Sequence, residues 1–370
     1  MRKRTTGLMK LMRLRFRLQR ILNRLLGRSK TVYVWNRVGR YRRLWTEAAA
    51  EIGAEVEELA EGIWRISDGA GTVIVTNHMT PMDNPVVLRL ASHKPVSYRL
   101  FEDAGVPVAP HRVFHAADME AMEAFMQTHP GMYVIKPARG TSAGMGVTTH
   151  LKGLAECRRA AALASLFDSQ LIIEKLVAGE VYRLLYLEGE MIAASRRRGL
   201  WITGDGSTTV GGLIRARCHA TGVPVPATGD RDLEATLRAQ GLTLDDVPES
   251  GRVLLAKSVA APLTDREEIR TVYTHDATGE ICAAIRATGA RACAALGTAF
   301  AGVDIITLDP SRPLENTGGV VGEINTTPGL HHHCGLEGVA QNPSVPARVL
   351  RHLLSRTAAP AAAGAGQGAT

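Results

Sequence analysis

From Thr31 onward, short apolar runs of period two alternate with stretches of helical period, the pattern of a layered α/β (α+β) chain. "TVYVW" is predicted as a strand, Arg43 to Ile52 as a helix, and "IWRI" and "GTVIVT" as two further strands. "DNPVVLRLASHKPVSYRLFEDAGVPVAPHRVF" reads as two short helices and a strand, with "AGVPVAP" as the turn between them. Asp118 to Gln127 predicts a helix, and "MYVIKP" a strand stopped by Pro137, which has no N–H for a ladder. A Gly-rich loop from Arg139 to Gly146 follows, then a helix from Cys157 to Leu166 and a strand over "QLIIEKLV". "VYRLLYLEGEMIAASRRR" has two apolar runs joined at Glu188–Gly189 and predicts a hairpin. "ITGDGSTTV" is a turn-rich loop before a helix at Gly211, and residues 221–252 read as a polar surface insertion. Ala284 to Leu296 predicts an alanine-rich helix, and "GVDIITLD" and "GVVGEINTTPG" two strands joined by a long loop.

The two ends differ from this body. Leu11, Leu14, Leu18, Ile21, Leu22 and Leu25 recur at helical spacing with arginines between them, so residues 1–30 predict a basic amphipathic helix. Such a helix lies on an anionic membrane, binds a partner's groove or contacts nucleic acid, and the plain alternative is packing on the protein itself or on a second subunit. Residues 358–370, "AAPAAAGAGQGAT", have the low-complexity composition of a disordered tail. Charge follows the same division. The net +8 of the 370 residues hides fifteen Lys and Arg within residues 1–46, where no acid occurs. The remainder carries 29 basic against 36 acidic side chains, so the body is mildly acidic. No nucleic acid is expected as a partner, since such a binder carries its basic patch on the folded domain.

No run of eighteen apolar residues exists, and Leu8 to Leu26 is interrupted by arginines without a small-residue cleavage site. The five cysteines are widely spaced and form no CxxC pair. The expectation is a cytoplasmic protein without a disulfide framework or a thiolate zinc site.

Three constellations carry candidate chemistry. In "IKPARGTSAGMGV" a strand delivers Lys136, and Gly140, Gly144 and Gly146 let backbone N–H groups approach phosphate oxygens. No Gly-Lys-Ser/Thr closes the loop, so it is not a Walker A motif, and an ordinary turn is the plain alternative. Glu174 ends a buried-looking strand before "KLVAGE"; with Glu180 it either reads the edge and ribose of a nucleotide or stands as a surface carboxylate. In "GEINTTPGLHHH" strand alternation puts Glu323 and Asn325 on one face with Ile324 opposite. Asp304 lies between Val303 and Ile305, where an acid is costly unless paired or bound to metal. Three hard oxygen donors on adjacent strands suit Mg²⁺ rather than zinc; hydrogen-bonded strand ends are the alternative. Consecutive residues point in different directions, so His331, His332 and His333 do not share one ion, and contact with a substrate carboxylate or capping of the Pro328–Gly329 turn is expected instead.

Taken in order, the lysine of "SHK", "IKP" with its Gly-rich loop, "IIEKLVAGE", "VYRLL", "GVDII" and "GEINTTPGL" resemble the ATP-grasp superfamily of carboxylate–amine ligases. Within it, "VYRLLYLEGEMIAASRR", "GDGSTTV" and "GVDII" with "GEINTTPG" are similar to the ligase domains of cyanophycin synthetases and bifunctional glutathione synthetases, over roughly Asp83 to Val345. The resemblance implies an ATP-grasp fold: an N-terminal α/β pre-ATP-grasp domain over residues 31–92 and an ATP-grasp domain over 93–357. Its small lobe (93–180) and large lobe (181–357) would clamp the nucleotide.

It also implies roles by position. Lys94 and Lys136 match the lysines that touch ATP phosphates, and Gly140, Thr141, Ser142, Gly144 and Gly146 the loop that folds over them. Glu174, Lys175 and Val177 match the adenine hinge, and Glu180 is the candidate ribose carboxylate. Asp304, Glu323 and Asn325 match the ligands of Mg²⁺, with Mn²⁺ as an alternative ion. Lys136, Arg183 and Arg197 are the catalytic candidates, the two arginines matching basic residues near phosphates or substrate. Apart from the resemblance, Arg196 in the run Arg196 to Arg198, with His331 and His332, hints at contact with a substrate bearing extra carboxylates, a solvated charge cluster being the alternative. The implied reaction joins a carboxylate and an amine through an acylphosphate.

Three departures qualify the match. The Gly-rich loop is one residue longer than in cyanophycin synthetases. "PLTDREEIRTVYTHD" stands where relatives have an Asn- and Gly-rich stretch, so the substrate is expected to differ. A counterpart of the Mur-ligase-like domain of cyanophycin synthetases is not expected, and with it one ligation rather than two. The leading reading is a ligase of amino acids or a small peptide. A ligase of a longer peptide or protein, docked through residues 1–30, and an inactive binding or scaffold protein held by the basic helix are the alternatives. Homo-oligomerisation is left open.

Overall fold

The computed structural model describes residues 11–12, 14–15, 17–18, 31–82, 84–141, 146–197, 199–221, 225–226, 231–238, 240–257, 274–334 and 344–358. Helix α1 (Thr31–Ile52) replaces the strand expected over "TVYVW" and continues through the predicted helix. Val38, Tyr41, Leu44, Trp45, Ala48 and Ala49 are buried at spacings of three and four, and that one-sided stripe overrides the β-propensity of the first turn. Strands β1 (Glu55–Ala60), β2 (Ile63–Ser67) and β3 (Thr72–Thr76) form an antiparallel sheet, with Trp64, Ile66, Val73 and Val75 pointing inward.

Two short helices lead onward, α2 (Pro85–Ala91), capped by the Asn84 side chain, and α3 (Lys94–Asp103). Strand β4 (His111–His115), helix α4 (Glu120–Thr128), β5 (Tyr133–Pro137), β6 (Thr148–Leu151), helix α5 (Leu154–Ala164) and β7 (Gln170–Lys175) make one unit. Its four-stranded antiparallel sheet has the order β4-β7-β5-β6, and both helices pack on one face over Phe114, Ile135, Leu171 and Ile173.

The second large sheet begins with the predicted hairpin β8 (Glu180–Leu187) and β9 (Glu190–Arg197), whose turn has Glu188 and Gly189 both at positive φ. Strand β10 (Leu200–Thr203), helix α6 (Val210–Thr221), helix α7 (Arg231–Arg238) and β11 (Val253–Lys257) form a satellite with its own core of Leu200, Ile202, Ile214, Leu233, Leu237 and Leu254. Residues 221–252 are therefore not simply a polar insertion. Leu233, Leu237 and Leu242 are buried, a stripe too short to stand out among its polar neighbours. Strand β12 (Thr274–Asp276), helix α8 (Ala283–Leu296), β13 (Phe300–Thr307), the short α9 (Leu314–Thr317) and β14 (Val320–Thr326) complete the five-stranded order β12-β9-β8-β13-β14. A 3₁₀ turn over Leu330–His333 and helix α10 (Val345–Thr357) follow.

Helix α10 does not end the large lobe alone. Val349, Leu350, Leu353 and Leu354 share one core with α1, the N-terminal sheet and Leu185, Ile192 and Phe300 of the large sheet. Helix α3 packs on the other face of that sheet through Tyr98 and Phe101.

Candidate active site

Pro95 sits in the first turn of α3, where its missing N–H leaves no bond unmade, so the helix starts at Lys94. The Lys94 backbone N–H donates to the Ala138 carbonyl (3.1 Å) and Gly140 N–H to the Ser92 carbonyl (3.3 Å). These bonds seat the start of α3 against the end of β5 and bring Lys94 beside Lys136. Gly140 (φ +67°) and Gly146 (φ +75°) turn the loop out and back. A β-carbon on Gly146 would lie 2.8 Å from both Phe167 and Pro137, so the return to β6 has no room for a side chain. Thr141 is half-buried beside this turn, and Ser142 and Gly144 lie outside the described residues.

Lys136 and Glu174 lie diagonally across neighbouring strands, Glu174 opposite Val134 and Lys136 opposite Ile172, and both are buried. Lys136 Nζ lies 2.6 Å from Glu174 Oε1 and donates to the Tyr98 hydroxyl at 2.6 Å. The Tyr98 hydroxyl in turn faces Glu174 Oε1 at 2.7 Å and the Gly322 carbonyl at 2.9 Å. Burial, reinforced by the Glu174 carboxylate, pushes the Tyr98 hydroxyl well above its ordinary range, so it stays a neutral donor. Lys94 Nζ stands 3.8 Å from Glu323 Oε1. Burial first, and the neighbouring Lys136 second among the lowering influences, bring its ammonium below the ordinary lysine value although Glu323 opposes the shift.

Across this cluster stand β13 and β14. Asp304 is opposite Glu323, and Gly302 is opposite Asn325, so the acids and the amide share one region of the sheet. The register slips after that pair, with Ile305 opposite Val321, which leaves Gly322 as the extra residue of a bulge. Arg183, opposite Asp304 on β8, grips both carboxylate oxygens, Nη2 at 2.8 Å from Oδ2 and Nε on Oδ1. Gly302 makes the grip feasible, because a β-carbon there would lie 2.7 Å from the Arg183 Cδ.

Two carboxylates and an amide are a reasonable donor set for a hard divalent cation. Among the described residues no group of three His, Cys, Asp or Glu side chains could hold a metal. The third donor here is instead Asn325, whose buried Nδ2 has no hydrogen-bond partner among the described residues. Turning that amide about its last bond exchanges nitrogen for oxygen, so an unpartnered end beside Glu323 is compatible with a ligand position. Each Asp304 oxygen has a second lone pair besides the one facing Arg183.

The remaining expected residues separate. Glu180 accepts from Arg196, whose guanidinium lies 5.8 Å from the Tyr182 ring centre. Lys175 is exposed at the end of β7, Val177 is half-buried beyond it, and Arg197 ends β9 with its side chain outside the description. His331 and His332 are buried, and the His331 Nδ1 lies 2.7 Å from the Tyr41 hydroxyl of α1. The histidine run thus sits against the N-terminal helix. Tyr98 is the member of the cluster that the sequence reading missed. Its one signal was its position one helical turn after Lys94.

Fold and site together define a protein of the ATP-grasp fold. The fold is shared with the bifunctional glutathione synthetase of Pasteurella multocida, at 22% identity and a TM-score of 0.59, over 85% of this chain and 43% of that one. In sequence the chain is similar to the cyanophycin synthetase of Geminocystis herdmanii, 29% identical over 270 residues, 70% of this chain and 30% of that protein. It is also similar to the glutathione biosynthesis bifunctional protein GshAB of Enterococcus faecalis, 29% identical over 305 residues, 77% of this chain and 38% of that protein. The resemblance to ATP-grasp carboxylate–amine ligases therefore holds in sequence and in fold. The chain spans less than half the length of each of these relatives. No family model matches it.

Proposed function

We propose that this protein is an ATP-dependent carboxylate–amine ligase acting on amino acids or a small peptide. One observation carries the reading: two buried lysines meet the strand that carries Glu323 and Asn325, Lys94 at 3.8 Å from Glu323 and Lys136 through the Tyr98 hydroxyl, which faces the Gly322 carbonyl. The similarity to a cyanophycin synthetase and a glutathione biosynthesis protein supports amide formation as the outcome.

In this reading a substrate carboxylate oxygen attacks the γ-phosphorus of ATP, ADP leaves, and an amine nitrogen displaces phosphate from the acylphosphate. Lys94 and Lys136 lie against the phosphate oxygens and offset the charge that gathers there, which matters more in a buried site than in water. Asp304, Glu323 and Asn325 would hold Mg²⁺, which supplies charge neutralisation and orientation of the phosphates when bound. Arg183 orients Asp304 through two bonds. Gly140 and Gly146 turn the chain where it leaves β5 and where it returns to β6; in this reading the Gly-rich segment keeps water from the acylphosphate. No protein nucleophile is required.

The test is a panel of amino acids and dipeptides with ATP, Mg²⁺ and hydroxylamine, with products read by mass. A hydroxamate identifies the carboxylate donor, and Lys136→Ala is expected to lower its formation by about 10²-fold or more. Absence of any amine-dependent ADP across the panel, together with unchanged nucleotide binding by Lys136→Ala, would sink the reading.

A specific observation also favours surface contact through residues 1–30. Leu11, Leu14 and Leu18 are exposed on described helical residues in the part of the chain that holds fifteen basic and no acidic side chains by residue 46. Leucines beside arginines suit an anionic bilayer. Co-sedimentation with anionic vesicles, lost with neutral ones and in Leu14→Asp/Leu18→Asp, is the expected result.

A further inference from the structure

The Tyr98 ring belongs to the core beneath the five-stranded sheet, packed with Phe101, Leu184, Val303 and Ile324. Its hydroxyl, however, meets residues of the four-stranded sheet, Lys136 and Glu174. The same oxygen faces the carbonyl of Gly322, the bulge residue immediately before Glu323. One phenol thus touches the lysine of one sheet and the backbone of the strand that carries the acid and amide of the other.

We propose that Tyr98 is a positioning residue that aims the Lys136 ammonium and couples it to the strand bearing Glu323 and Asn325. The proposal rests on the nucleotide-binding reading given above. An ammonium has three N–H bonds in tetrahedral array on a flexible stem. Glu174 at 2.6 Å and Tyr98 at 2.6 Å engage two of them, and two fixed directions determine the third. With the hydroxyl removed, one contact remains, and the head rotates about the Lys136–Glu174 line. Because the stem is flexible, that rotation swings Cε and the two remaining N–H bonds together out of the setting the second contact gave them. The link to β14 is lost as well, since the Glu174 contact lies wholly within the four-stranded sheet.

Tyr98 also has the right chemistry for the task. A neutral phenol accepts from Lys136 while its single proton serves Glu174 and the Gly322 carbonyl, so it joins a cation, an anion and a peptide group at once. Phenylalanine keeps the ring and its packing and removes only the oxygen.

The experiment is calorimetric titration of ADP into the full chain, with Mg²⁺ and with EDTA, for the parent, Tyr98→Phe, Lys136→Ala and the double variant. Thermal melts of each are recorded alongside. Tyr98→Phe is expected to melt within a few degrees of the parent and to bind Mg²⁺–ADP about tenfold more weakly, the scale of one hydrogen bond to a charged group. The gain in affinity that Mg²⁺ gives the parent is expected to shrink in Tyr98→Phe. In the Lys136→Ala background the Tyr98 effect is expected to vanish, because the group it aims is gone. Parent-like affinity in a folded Tyr98→Phe overturns the proposal, and so does an equal loss with and without Lys136, which marks a merely structural role. If Lys136→Ala itself binds ADP as the parent does, the nucleotide reading fails first, and the two failures are told apart.

Discussion

Lys94 occupies the first turn of α3 with its ammonium buried 3.8 Å from Glu323, and burial holds its proton more loosely than in an ordinary lysine. An anionic phosphate arriving beside it favours the charged form and raises that affinity for the proton again. The bound state then holds more protons than the free state wherever the pH lies between the two values. If Lys94 meets the phosphates as proposed, nucleotide affinity is expected to be full below the depressed value and to fall as pH rises through it toward the ordinary lysine range. Calorimetry in buffers of different ionisation enthalpy is expected to register proton uptake on ADP binding in that window. Lys94→Met is expected to abolish the uptake and weaken binding. A pH-independent affinity in the parent would separate Lys94 from the phosphates.

At the scale of elements, the site depends on how β8, β13 and β14 lie side by side. Strand alternation made the shared face of Glu323 and Asn325 legible, and the acid between Val303 and Ile305 marked Asp304 as a residue in need of a partner. Its partner within the protein is Arg183, 121 positions away, and only the register of β8 against β13 sets that pairing. The bulge at Gly322 is equally invisible in one strand, since it exists only relative to Asp304 and Ile305 across the sheet. Gly302→Ala is expected to displace Arg183 from Asp304, because the new methyl would lie 2.7 Å from the Arg183 Cδ. The expected loss is about 1–3 kcal/mol in urea unfolding, with reduced ADP formation in the same variant. Unchanged stability and activity would mean that Arg183 reaches Asp304 by another path.

Across the whole molecule, residues from the two ends of the folded body meet. Helix α10 packs against α1, Ser344 N–H reaches Glu51, and the Thr357 hydroxyl accepts from the Thr72 N–H. The same core includes Leu185, Ile192 and Phe300, so the N-terminal sheet is built onto the back of the sheet that carries the site. Leu350→Ala, in the middle of this core, is expected to destabilise the protein by about 2–5 kcal/mol. Equilibrium denaturation measures it, and a loss below about 1 kcal/mol would mean that the joint closes around the gap.

What the sequence determined by itself is what local period and chemistry can carry. Short apolar runs of period two set most strands, β5 ended at Pro137, and Glu188–Gly189 closed the hairpin. The ordered motifs pointed to the ATP-grasp fold. The tertiary structure decided the rest. It made a helix of "TVYVW", drew Leu233 and Leu237 into a core, and buried His331 against Tyr41. It also joined Tyr98 to partners 38, 76 and 224 positions away. Backbone period acts over a few residues, whereas a buried hydroxyl, ammonium or carboxylate takes whichever partner the sheet register sets before it.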